Sequence, residues 1–205
     1  MKKINLLAFL LLWSMLSANA QVISSKDLPI VEKIMQGNKS YTSITSAFKQ
    51  IQHLPFVDDE MVSEGNFYYK KPDQMAMVFT DPEGDMMLVD GNKFVLVSAG
   101  SRREVSAASS PKMQGMKLVL SSCMEGNVQK MGAKKITCEE TSTLYIVKAE
   151  LSGENLFEKV EVGYDKKDFS LSFLKTIESD GSYTQYDLSK KAFNKTIDET
   201  VFKGK

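Results

Sequence analysis

The chain is short of the residues from which most active sites are built. It holds two cysteines and a single histidine, His53, in 205 residues. One histidine far from two cysteines supplies too few ligands for a zinc site, and without a Cys-x-x-Cys pair there is no redox motif. No nucleophile motif accompanies His53, and a general base needs oriented partners. The acidic spacing from Asp81 to Asp85 lacks the full ligand set and closing Glu of an EF-hand loop. No metal and no cofactor is implied, and the chain is not expected to be an enzyme. Charge of one sign is missing too, with 26 basic and 26 acidic residues. That balance offers no basic excess for nucleic acid and no polybasic segment for anionic lipid. Repeats and low-complexity tracts are absent, and beyond residue 20 no apolar run approaches the length of a membrane span.

What is present begins with an address. Lys2-Lys3 form a positive start, Ile4 to Leu16 an apolar stretch broken by Asn5 and Ser14, and Ala18-Asn19-Ala20 a small-x-small cleavage site. Residues 1–20 are therefore expected to be a secretory signal peptide, with the mature chain starting at Gln21. No Cys follows that site, so no lipid attachment is expected there. Cleavage would remove Trp13, the one tryptophan, and leave an acidic excess of two. The remainder, 21–205, suits one domain with a sizeable core. In an oxidising compartment, an even cysteine count favours a Cys123–Cys138 disulfide. Two buried thiols are the alternative.

The mature sequence reads mostly as strands. Asp27, Pro29 and the spacing of Leu28, Val31, Ile34 and Met35 predict a helix ending at Gly37-Asn38. Residues 41–52 alternate as a first strand, although Ile44, Phe48 and Ile51 also fit a helix. Strands follow at 61–70, 74–80 and 86–97, with turn signals at Lys71-Pro72, Asp81-Pro82-Glu83-Gly84 and Asp90-Gly91. Residues 98–112 are small and polar and read as a mobile loop. Residues 113–131 read as one or two short helices broken near Gly126. Strands at 135–140, 144–151, 157–164, 170–178 and 182–188 complete the chain, with hairpin turns at 165–168 and 179–182. Met75, Met77 and Phe79 share one face of their strand, making it large, apolar and soft. Twelve methionines in the chain are an unusual load, and methionine is common on adaptable apolar binding surfaces. The expected fold is mainly β with a few helices: one curved antiparallel sheet wrapping helices around an apolar interior.

Several short motifs occur in a telling order. Ile44-x-x-x-Phe48-x-Gln50 precedes Gly65-x-Phe67-Tyr68-x-Lys70-Lys71-Pro72, then Pro82 and Asp90-Gly91, then Asp180-Gly181-Ser182-Tyr183-Thr184-x-Tyr186 and Ile197-Asp198-x-x-x-Phe202. Together they resemble the LolA-type lipoprotein carriers, of the kind found in Bacteroidetes, over nearly the whole mature chain. The resemblance implies a half-open, strongly curved antiparallel barrel capped by helices. It implies a periplasmic carrier whose apolar cavity holds the acyl chains of lipoproteins crossing from the inner to the outer membrane. Its partners would be an inner-membrane lipoprotein transporter and an outer-membrane acceptor, and it would act as a monomer. Two alternatives stand beside this: a paralogue carrying another lipid or glycolipid, and a sensor that reads lipoprotein or lipid levels and contacts a regulator.

The same resemblance implies the site. Met77 falls where relatives often place a cavity Trp, with Met75 and Phe79 flanking it, and Tyr68 falls at another aromatic position. The expected cavity lining is Ile44, Phe48, Tyr68, Met75, Met77, Phe79, Met87, Leu96, Met113 and Met116. Lys71 stands where relatives often carry an Arg that contacts the lid helices. It keeps the charge but not the planar fork of donors.

Overall fold

A computed structural model describes residues 22–152 and 155–204. The expected signal peptide and its cleavage site lie outside them. The chain opens with α1 (Leu28–Gly37) and then runs through β1 (Ser43–His53), β2 (Met61–Lys70), β3 (Gln74–Asp81), β4 (Glu83–Asp90), β5 (Lys93–Ser98) and β6 (Ser101–Ser106). The second helix, α2 (Pro111–Glu125), follows a helical turn at Ala107–Ser109 and precedes another at Val128–Met131. Strands β7 (Ala133–Glu140), β8 (Leu144–Leu151), β9 (Lys159–Asp165), β10 (Leu171–Ile177) and β11 (Tyr183–Phe193) complete the sheet.

All eleven strands belong to one sheet, in the order β6-β5-β4-β3-β2-β1-β11-β10-β9-β8-β7. It consists of two antiparallel meanders zipped together where β1 pairs with β11. Register shifts interrupt five of the ladders, and such bulges add bend and twist. The sheet curls without closing. Its outer strands, β6 and β7, are not paired with each other, and the chain passes between them as α2.

Alternation decides the two faces. Phe67, Tyr69, Met75, Met77, Val89 and Phe94 point to the concave side, where they meet Val31 and Ile34 of α1 and Val119, Leu120, Cys123 and Met124 of α2 in the main core. The opposite face is largely polar apart from a smaller cluster. There Ala76, Leu88 and Val95 are covered by Ile197 and Phe202 of the C-terminal segment.

The boundaries mostly follow the sequence signals, with two corrections. Residues 86–97 are two strands, because the turn at Asp90-Gly91 folds the run back on itself, with Gly91 at φ +57°. Residues 98–112 are not simply a loop, because 101–106 form edge strand β6. All six of its residues are exposed, so it shows none of the apolar alternation by which strands are recognised.

Candidate functional site: an apolar cavity under the second helix

The cavity begins with one cross-strand row. Phe67 of β2 pairs with Met77 of β3, Met77 with Met87 of β4, and Met87 with Leu96 of β5. Antiparallel partners share a face, so these four side chains form a continuous apolar stripe on the concave side. Met75 stands beside it, one pleat along β3. From the other meander, Leu171 and Leu174 of β10 and Tyr186 and Leu188 of β11 face the same hollow, joined by Leu156 and Phe157. Met116, Leu120 and Met124 of α2 roof it. The cavity has a volume of about 450 Å³, within the range of roughly 300–1,000 Å³ usual for small-molecule sites. Burial pushes the Tyr186 phenol up to about 12, so it stays neutral in this setting.

One end is polar. Gln52, Thr184 and Thr176 are neighbours across β1, β11 and β10, and Glu178 lies just beyond β10. An amphiphile's chain can therefore be sheltered while its polar part reaches water.

The roof is secured at its ends. Ser110 caps α2 by accepting from the Met113 N–H at 3.3 Å, with Pro111 in the first turn. Gly126 ends it at φ +67°, and its N–H donates to the Cys123 carbonyl. A Cβ there would also lie 2.6 Å from Asn38 Nδ2. The Tyr164 hydroxyl of β9 donates to the same Cys123 carbonyl at 2.9 Å. Asn38, fully buried, joins the neighbouring pieces: its amide donates to the carbonyls of Ile34 and Phe169 at 3.0 and 2.6 Å, and it accepts from the Tyr41 hydroxyl. Lys71 donates to the Asn38 carbonyl at 2.6 Å and sits 5.0 Å above the Tyr41 ring. Its pKa is lowered by burial, against the pull of the Glu125 carboxylate at the end of α2. Lys71 thus lies where the ends of both helices meet the β2–β3 turn.

Five of the expected lining residues, Met75, Met77, Met87, Leu96 and Met116, surround the cavity. Ile44 and Phe48 are deeper core residues. Phe79 meets Phe48 edge-on, their centroids 5.0 Å apart. These rings meet over Gly65, where a Cβ would lie 2.7 Å from Phe48 and closer still to the Val78 carbonyl. Met113 packs on the core beside the cavity rather than lining it. Tyr68 is a correction. It pairs with Thr45 and Ala76 on the convex face and packs in the cluster under Phe202. The disulfide is a second correction, since both cysteines are free. Cys123 is buried on α2, and Cys138 sits half-buried on β7 opposite Val147. Burial pushes both thiols up, Cys138 to about 12. Sequence reasoning missed the linings supplied by 156–157, β10 and β11, whose alternation resembles that of any half-buried strand.

An unclosed, strongly curved antiparallel sheet with helices across its hollow and an apolar cavity beneath them defines a recognisable class of protein. Residues 39–205 match the family described as "Outer membrane lipoprotein carrier protein LolA". The chain belongs to the LolA family. Among solved structures, an uncharacterised conserved protein from Thermus thermophilus is 8% identical, with a TM-score of 0.51 over 85% of this chain and 91% of that one. A LolA superfamily protein from Nitrosomonas europaea is 8% identical, with a TM-score of 0.44 over 84% and 96%. Mycobacterium tuberculosis lipoprotein LppX is 12% identical, with a TM-score of 0.47 over 85% and 99%. No curated protein matches this chain.

Proposed function

We propose that this protein is a periplasmic carrier that takes up the acyl chains of lipoproteins and shuttles them from the inner to the outer membrane. The apolar cavity roofed by α2 carries this reading. An acyl chain of about 16 carbons gains roughly 12 kcal/mol on leaving water, at about 0.8 kcal/mol per CH₂, so a carrier has to cover most of it. The methionines on β3, β4 and α2 supply flexible, polarizable contacts that can adapt to chains of different length and release them. On this reading residues 1–20 are a cleaved signal peptide and 21–205 the working domain. A transporter in the inner membrane loads the carrier, and an acceptor at the outer membrane empties it.

Native mass spectrometry of the mature protein, purified from envelope extract, tests the proposal. A mass beginning at Gln21 with an acylated protein or lipopeptide bound is the expected result. A free lipid or glycolipid would redirect the reading to another cargo. Protein that is empty, and that gains no thermal stability from added acylated peptide, would overturn it, because a bound guest must raise the melting temperature by mass action.

A further inference from the structure

A guest in the cavity must have a polar end, and the unclosed side of the sheet is one place where that end can emerge. The row Phe67–Met77–Met87–Leu96 does not stop at Leu96. Leu96 pairs with Arg103 of β6, the last strand on that side. Pairing keeps the side chains on one face, so the apolar row ends in a guanidinium at the sheet edge. Leu96 lines the cavity and is still 47% exposed, so the hollow reaches water at this point.

The surrounding charges leave Arg103 available. The concave positions of β4, β5 and β6 that follow this register hold one other charge, Asp85. Its carboxylate already accepts from the Ser98 hydroxyl at 2.8 Å and the Ala99 N–H at 3.0 Å. The adjacent Arg102 points to the convex side, where it lies 3.5 Å from Glu104 and donates to the Gly204 carbonyl. Glu104 is further occupied by Lys93 at 3.2 Å. Arg103 itself has no ion-pair partner among the described residues.

On the strength of the carrier reading, we infer that Arg103 is a specificity residue that binds an anionic group at the polar end of the guest. A guanidinium presents a planar fork of donors that suits both phosphate and carboxylate. The anion has two possible sources: a phosphate headgroup, or acidic side chains following an acylated cysteine.

The test compares wild type, Arg103→Ala and Arg103→Lys, with Arg102→Ala as a convex-face control. Four probes are used: hexadecyl phosphate, neutral hexadecanoyl glycerol, and palmitoylated peptides with either two Asp or two Asn after the acylated cysteine. The preference of wild type for an anionic probe over its neutral counterpart should fall about fivefold in Arg103→Ala, as for an exposed charge pair. Arg103→Lys should restore part of it, and Arg102→Ala should behave as wild type. Salt at about 0.5 M should erase the difference. A fall for the phosphate pair alone identifies a headgroup, a fall for the peptide pair alone identifies carboxylates, and a fall for both identifies a general anion site. If neutral probes bind but neither preference moves in Arg103→Ala, the role of Arg103 is refuted while the carrier reading stands. If wild type binds none of the four, the carrier reading fails first.

Discussion

Met77 and Leu96 lie on the same cross-strand row, yet a carboxylate would affect them differently. Met77 is 3% exposed and Leu96 is 47% exposed. Met77→Glu should cost about 3 kcal/mol or more, because the charge enters the core without a partner; a denaturant titration reads this. Leu96→Glu should keep wild-type stability in the empty protein to within about 0.5 kcal/mol and lose acyl-chain binding. A Leu96→Glu variant that bound acylated peptide normally would remove Leu96 from the site. The cysteines make a second prediction. Alkylation of unfolded protein without reductant should add two labels per chain, whereas in the native state buried, protonated thiols should react slowly. Residue faces were only partly legible in the sequence. Alternation assigned Met75 and Met77 correctly, but Phe67 and Tyr68 are adjacent aromatics, and no local signal says which of them faces inward. The register with Met77 and Ala76 decides it.

The position of α2 depends on a few polar contacts at its C-terminal end. Tyr164→Phe removes the hydroxyl that reaches across to the Cys123 carbonyl. The loss should be about 1–2 kcal/mol, since a buried acceptor loses one of its donors. Amide exchange should speed up in 111–125 more than in the sheet. Exchange that rose uniformly across the chain would argue against a tether specific to α2. Asn38→Ala should cost more, about 2–3 kcal/mol, because the carbonyls of Ile34 and Phe169 and the Tyr41 hydroxyl lose their partner together. Helices were legible here through Pro29 and Gly126, while Pro111, which opens α2, reads in the sequence as the end of the preceding loop. Strand β6 was not, because its charged, exposed residues fit a solvated loop as well as a sheet edge, where charge also discourages unwanted pairing.

For the molecule as a whole, the two faces of the sheet carry separate clusters. Phe202→Ala should destabilise by about 3 kcal/mol through the convex cluster alone, while leaving acyl-chain affinity per folded molecule as in wild type. A variant that folded normally but lost its guest would mean the two faces are coupled. Apart from the β5–β6 hairpin, the meanders could be read from their turns, because hairpins are specified by neighbouring residues. How the meanders join could not, since nothing near Ile44 or Phe193 announces that they are partners. That seam also sets a timetable. A chain made from its N-terminus has β1 to β6 in hand early, but the free side of β1 must wait for β11, almost the last segment to appear. Non-local pairing of this kind is slow, and an unsatisfied strand edge invites the wrong neighbour. The young protein should therefore be most at risk of aggregation during the interval before residues 183–193 arrive, and most dependent then on whatever shields nascent chains.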